Sequence, residues 1–197
     1  MQRIVLASSN RGKLAEFGAL LAGNGCGLIT QSSLGIGDIE ETGLSFVENA
    51  LLKARHAARA SAMPALADDS GLCVPALGGA PGLHSARYAG GHGDSAANNA
   101  RLLQALHGLP EVQRDAFFIC VLVLLRGVDD PAPLIAEGRW HGRILDAPRG
   151  TRGFGYDPLF LPHGQSLSAA ELDPGLKNRL SHRGQALARL REAIGKA

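Results

Sequence analysis

The chain is poor in the residues that most often announce a function. It has three cysteines, Cys26, Cys73 and Cys120, and no C-x-x-C pair among them. Neither a zinc site nor a disulfide framework is indicated. Each cysteine reads as a small buried residue in a reducing cytoplasm. The seven histidines show no H-x-x-x-H spacing, which argues against a zinc enzyme. Aromatic residues make up only 5% and the formal net charge is +2. That is too little positive charge for a nucleic-acid coat or a polybasic membrane anchor. No apolar run reaches the roughly 18 residues a membrane span needs; the longest covers residues 116–125 and reads as a buried strand. Met1-Gln2-Arg3 runs straight into Ile4-Val5-Leu6-Ala7, which lacks the length and cleavage site of a signal peptide. There is no internal repeat, no low-complexity segment and no clear linker.

What remains is a chain of 197 residues, 45% apolar and 19% charged. Those proportions suit one domain over residues 1–197 with a proper core. Its centre is Leu66-Ala67-Asp68-Asp69-Ser70-Gly71. If residues 64–67 begin a short buried strand, two acids sit at its end. Successive strand side chains point to opposite faces. Both acids can therefore face one ligand only where the strand has ended; otherwise one holds a magnesium ion or a water and the other braces the backbone. Magnesium is usually held by one or two carboxylates plus substrate phosphate. The alternative is a turn or helix cap, which Asp, Ser and Gly also favour.

Residues 3–7 read as a first strand. Ser8-Ser9-Asn10-Arg11-Gly12-Lys13 follows, and Leu14, Phe17, Leu20 and Leu21 then recur at helical spacing. Strand, polar loop, helix is a layout that holds anions on backbone N–H groups, although Ser and Asn also start helices with no ligand nearby. The Walker pattern is absent. A glycine-rich turn at residues 23–27 precedes a second strand at 28–31. A long helix spans residues 45–62, closed by Pro64. Phe46, Ala50, Ala54 and Ala57 form its apolar stripe, and Ser45, Asn49 and Lys53 lie on another face. Residues 72–74 continue the sheet. The breaker-rich loop 75–93 is long enough to suggest a function. Asp94 caps a helix running to Gly108. Residues 116–126 form the central strand, and 134–145 its antiparallel return. In Gly153-Phe154-Gly155-Tyr156-Asp157-Pro158, glycine permits close backbone approach to a ligand and an exposed ring could stack on a base. A tight turn with a packed Phe is the other reading. A turn at residues 169–171 leads to Asp173-Pro174-Gly175, Lys177 and Ser181-His182-Arg183-Gly184, before a final helix. The alternation predicts an α/β fold, a mixed sheet with helices on its faces.

The segments together resemble one family, the inosine triphosphate pyrophosphatases of the Ham1 type, in their bacterial form. The likeness covers nearly the whole chain. It is carried by Ser8-x-Asn10-x-x-Lys13, Glu41-Thr42-Gly43, Phe46-x-Glu48-Asn49-Ala50 and Lys53-Ala54. It continues through residues 67–72, Pro81-Gly82, Ser85-Ala86-Arg87-Tyr88, residues 153–158, Lys177 and residues 181–184. The order and spacing of these pieces are specific where each alone is weak. Leu176, where relatives often have an acid, and Asp173-Pro174-Gly175, which stiffens its loop, depart from the pattern.

The resemblance implies an elongated mixed sheet with two lobes and a central cleft, in a homodimeric, cytoplasmic enzyme. It implies magnesium-dependent hydrolysis of ITP, dITP and XTP to the monophosphate and pyrophosphate, clearing deaminated purines from the nucleotide pool. Carried over by position, Ser8, Ser9, Asn10, Arg11, Gly12 and Lys13 grip the triphosphate. Glu41 and Asp69 hold the magnesium, with Glu40 a substitute for Glu41. Asp69 is also the general base; Lys53 is catalytic, supplying charge with Lys13 and Lys177. Ser70 contacts substrate and Phe154 stacks on the purine. His182, Arg183 and the backbone of Phe154, Gly155, Tyr156 and Asp157 read its 6-oxo edge. No nucleic-acid or membrane partner is implied. Two rivals stay in view: a nucleotide sensor without catalysis, and a nucleic-acid module built on the basic C-terminal third. A haloacid-dehalogenase-type phosphatase is excluded, because Asp68-Asp69-Ser70 does not supply D-x-D-x-T.

Overall fold

The first strand, β1 (Arg3–Ala7), is a branched apolar run, and it delivers the chain into helix α1 (Arg11–Leu21). Asn10 starts that helix: its Oδ1 accepts the backbone N–H of Lys13 at 3.1 Å, satisfying one of the donors every helix leaves open at its beginning. The chain returns as β2 (Gly27–Thr30), crosses through α2 (Phe46–Ser61) and enters β3 (Ala65–Cys73). The computed structural model describes residues 3–21, 27–91 and 93–195, without the side chains of Arg11, Ala15, Ala19, Leu20 and Leu21. The expected turn at 23–27 and Cys26 therefore lie largely outside the described residues.

Both β2 and β3 pair with β1 in parallel. They lie on opposite sides of it, because the sheet order is β2-β1-β3-β4-β5-β6. Two crossovers that travel in opposite directions with the same right-handed sense must place their helices on opposite faces. The core agrees. Val5, Ala7, Ala65 and Ala67 pack with Ala50, Ala54, Ala57 and Ala58 of α2. Leu6 and Leu66, pointing the other way, pack with Phe17 of α1 and with Ala186, Leu187 and Leu190. The expected stripe on α2 is thus the buried one, with Phe46 half-buried.

The chain continues through α3 (Ser95–Ala105), β4 (Asp115–Leu125), β5 (Leu134–Ile144), β6 (Phe160–Pro162), α4 (Pro174–Leu180) and α5 (His182–Ile194). Asp94 caps α3, its side chain accepting from Ala97 N. The return of β5 along β4 is marked by Ile144 N donating to Arg114 O at 2.9 Å; β6 is antiparallel to β5. The sheet is therefore mixed, in an α/β fold. Two compact units divide the chain: Met1–Asp69 with Cys120–Gly138 and Arg183–Ala197, and Ser70–Ile119 with Arg139–His182. The second has its own core, in which Leu72, Leu102, Phe118, Trp140, Leu159 and Phe160 are buried.

Two expectations need correction. The strand that carries Asp68 and Asp69 does not stop at them; β3 runs on to Cys73. What stops is its pairing with β1, whose last partner is Ala67. And Asp173-Pro174-Gly175, read as stiffening a loop, is the start of helix α4 (Pro174–Leu180). Asp173 caps it and Pro174 occupies its first turn, where a missing N–H costs nothing and the fixed φ suits a helix. No helix among the described residues is long and apolar enough to cross a membrane.

Candidate active site

The first cluster lies past the carboxyl end of β1, beside the middle of β3, where the strand order reverses, the place at which open α/β sheets bind ligands. Asp68 and Asp69 stand one and two residues past the last β1–β3 pair and are both buried. Being strand neighbours they point to opposite faces, and each meets the helix on its own face. Lys13 Nζ of α1 lies 2.8 Å from Asp68 Oδ2. Lys53 Nζ of α2 lies 3.1 Å from Asp69 Oδ1 and 2.7 Å from Glu41 Oε1.

The segment carrying Glu41 is held against α2 by its own polar groups. Ser45 caps the helix, and Glu48 Oε2 accepts from the Ser45 hydroxyl at 2.7 Å and from Leu44 N at 2.9 Å, a variant of the capping box. Asn49 Oδ1 accepts from Gly43 N at 2.8 Å, while its Nδ2 donates to Asp69 Oδ2 at 3.4 Å. A side chain at Gly43 would meet Glu48 Cβ and Asn49 Oδ1 at 2.6 and 2.7 Å; only glycine lets the loop approach this closely.

The two adjacent carboxylates differ in acidity. Burial pushes Asp68 up, but Lys13, Lys53 and Arg183 outweigh it and hold its carboxyl below the ordinary value. Asp69 moves the other way: burial raises it, Glu41 and Asp68 add to the rise, and Lys53 and Lys13 offset only part. Burial lowers Lys53 while Asp69, Asp68 and Glu41 raise it, leaving it above its usual range. Glu41 and Asp69 converge on a single ammonium. Hard oxygen donors in that number suit magnesium, which usually needs one or two carboxylates and completes its shell with phosphate oxygens and water. Among the described residues no group of three or more His, Cys, Asp or Glu is placed to hold a metal ion.

The remaining residues expected to grip phosphate fall nearby in the chain. Ser8 is buried and its Oγ accepts from Asn10 N at 3.3 Å. Ser9 Oγ is turned onto Asp38 Oδ2 at 2.6 Å. Gly12 lies in the first turn of α1, and the side chain of Arg11 lies outside the described residues. Arg183, expected to read the base, has Nη1 on Glu16 Oε2 of α1 at 2.8 Å.

The second cluster is the loop at residues 153–157. Asp157, buried, accepts the backbone N–H of Phe154 at 2.8 Å and the Lys177 ammonium at 2.7 Å, both on Oδ2. A side chain on Gly153, whose φ is +75°, would collide with that carboxylate. Lys177, delivered by α4, sits 5.4 Å from the Phe154 ring centroid, within cation–π range. Phe154 is half-buried and Tyr156 buried. Tyr156 donates its phenol O–H to Ser85 O at 2.9 Å, and Asn99 Nδ2 donates to Gly155 O at 3.1 Å. His182 stacks on Phe118 with centroids 4.8 Å apart. Ser70 follows Asp69 on β3, half-buried. Asp68 was expected beside Asp69 at the centre of the chain but without an assigned role of its own, and Asn49, Glu16 and Asn99 were not among the expected site residues. Asn49 could have been found from its one-turn spacing to Lys53; Glu16 and Asn99 leave no local mark.

A model described as the Ham1 family matches residues 4–193. The chain is 58% identical over 194 residues, 98% of each chain, to a dITP/XTP pyrophosphatase of Xanthomonas campestris pv. campestris. It is 57% identical over 195 residues to a dITP/XTP pyrophosphatase of Pseudomonas syringae pv. tomato, covering 99% of this chain and 98% of the other. A HAM1 protein from Coxiella burnetii superposes with a TM-score of 0.92 at 50% identity, covering 100% of both. A dITP/XTP pyrophosphatase from Mycobacterium abscessus superposes at 0.77 and 44% identity, covering 96% of this chain and 98% of that one. On the full-length match and on relatives of this similarity, the chain belongs to the Ham1 family.

Proposed function

We propose that this protein hydrolyses deaminated purine nucleoside triphosphates, dITP, XTP and ITP, to the monophosphate and pyrophosphate, as a magnesium-dependent cytoplasmic homodimer. The observation that carries the reading is the pair of buried acids, Asp68 and Asp69, set past the end of β1 with a lysine from each flanking helix. The names of the relatives and the Ham1 match support it. Glu41 and Asp69 would hold the magnesium. When bound, the ion offsets phosphate charge and acidifies its water.

The chain's own residues do the rest. Asn10 and the opening N–H groups of α1 receive phosphate oxygens. Lys13 and Lys53, now paired with carboxylates, can exchange them for phosphate. Asp69, with its acidity weakened by burial, takes the proton of the attacking water. An oxygen–phosphorus bond forms at the α-phosphorus, the bond to the bridging oxygen breaks, and pyrophosphate leaves. Positioning and charge stabilisation carry most of such a reaction. Phe154 stacks on the purine, with Lys177 fixing its loop. Hypoxanthine and xanthine present an acceptor at position 6 and a donor at N1, and adenine reverses both. Reading that edge with His182, Arg183 and the backbone of residues 154–157 leaves groups unpaired against adenine, at about 1–3 kcal/mol each. A sensor without catalysis would release no product.

A pyrophosphate-release assay with magnesium on ITP, XTP, ATP and GTP tests the function. Pyrophosphate from ITP and XTP in excess over ATP and GTP is expected. Orthophosphate release, or equal rates on all four, contradicts it.

A further inference from the structure

The loop at residues 153–157 has a weak point that its stacking ring does not cover. Gly155 lies at φ +61°, and a glycine tolerates backbone conformations that other residues do not. The peptide joining Gly155 to Tyr156 is planar, so its C=O and N–H point in opposite directions. Rotating that plane by half a turn exchanges a donor for an acceptor. At a purine edge this is the difference between a 6-oxo and a 6-amino partner. Gly155 itself offers no steric opposition to that rotation; what opposes it inside the loop is Tyr156, which now lies at φ −91° and would be driven to a positive φ, and a tie on the Gly155 carbonyl adds to that preference.

Asn99 supplies such a tie. It sits in α3, and its Nδ2 donates to the Gly155 carbonyl 3.1 Å away. The carbonyl fixes which end of the amide is nitrogen, because the flipped amide would set oxygen against oxygen. Asn99 Oδ1 is buried and has no hydrogen-bond partner among the described residues. A buried acceptor left in this way costs free energy, and an apolar residue would fill the position more favourably. Its neighbour Asn98 uses both ends of its amide, on Ala89 N and Ala86 O, and so accounts for itself as a structural tie. Asn99 does not: its amide bonds to the loop at residues 153–157 through Nδ2 alone.

We propose that Asn99 is a specificity-determining positioning residue, holding the Gly155–Tyr156 peptide in the orientation that accepts a 6-oxo purine and refuses a 6-amino one. The inference rests on the assignment of residues 153–157 to the purine. Asn99 touches no reacting atom, so its loss changes selectivity rather than chemistry.

The test is kcat and KM for XTP and ATP with wild type, N99A and N99D, alongside thermal unfolding. In N99A the ratio of kcat/KM for XTP over ATP falls by about 3- to 10-fold, the size of one net hydrogen bond. The fall comes through KM for XTP, with kcat unchanged. N99D keeps the shape and removes the donor. Its selectivity falls further at neutral pH and recovers as the pH drops and the new carboxyl gains a proton to donate; wild type shows no such recovery. An unchanged XTP-to-ATP ratio in both variants, with equal losses on the two substrates or a lower unfolding temperature alone, overturns the proposal. A wild type that does not prefer XTP overturns the purine assignment itself, and this inference with it. A wild type that prefers XTP beside an N99A that keeps the preference removes Asn99 only.

Discussion

The acidic cluster beside β1 and the loop at residues 153–157 are both polar, buried and tied to a lysine, yet they are assembled in opposite ways. In the first, charged side chains from separate elements meet each other: Lys13 with Asp68, Lys53 with Glu41 and Asp69. In the second, side chains meet backbone: Asp157 on Phe154 N, Tyr156 on Ser85 O, Asn99 on Gly155 O. Ion pairs between long side chains can be exchanged for a phosphate or a metal without moving the main chain. Backbone ties fix the main chain itself. The first arrangement suits a group whose charge changes during reaction, and the second suits inspection of a rigid ring.

The comparison breaks most sharply at Asp69. Replacing it with asparagine lowers kcat on XTP by about 10²–10⁴-fold, the usual cost of a lost general base. Its folded carboxyl is raised above the ordinary value, so in metal-free protein its charge opposes folding once the pH is above that raised value. Neutralising it therefore leaves the unfolding temperature at pH 7 unchanged or higher, which differential scanning fluorimetry in a chelator will show.

Asp68, one residue away, should behave in the opposite sense. Its folded carboxyl lies below the ordinary value. The stability it contributes is full above the unfolded value and is lost as the pH falls through the folded one. D68N strands Lys13 and costs about 3–5 kcal/mol, as breaking a buried pair does. Denaturant titrations across acid pH will find the variant's stability less dependent on pH than that of wild type. Equal behaviour of the two asparagine variants would remove the distinction drawn between the acids.

The smallest effect belongs to the loop. F154A forfeits about 1–3 kcal/mol of stacking, seen as a higher KM for XTP and ATP alike with kcat kept. A loss of kcat instead would place Phe154 with the reacting atoms.

Much of this was legible in the chain because it is written locally. The apolar runs of β1 and β4, the alanine stripe of α2 and the cap Asp94 depend on near neighbours, and they lie within a residue or two of where they were expected; Ser45, read as the first residue of α2, is its cap. Helix α4 carried the same kind of signal, Asp173 followed by Pro174, but seven residues are too few to show a period. The continuation of β3 through two adjacent acids was hidden for a different reason. Charged residues argue against a buried strand, and the lysines that make these tolerable come from helices far away in sequence. Glu16 and Arg183 are 167 positions apart, and Asn99 and Gly155 are 56 apart. Pairings of that range are decided by topology, above all by the two crossovers that put α1 and α2 on opposite faces.

Equilibrium binding of XTP and ATP to D69N, with turnover followed in the same samples, tests the division of labour most directly. The variant should keep the wild-type preference for XTP while hydrolysing neither nucleotide at a rate near that of wild type. Hydrolysis of XTP at the wild-type rate, or loss of the preference, would contradict it.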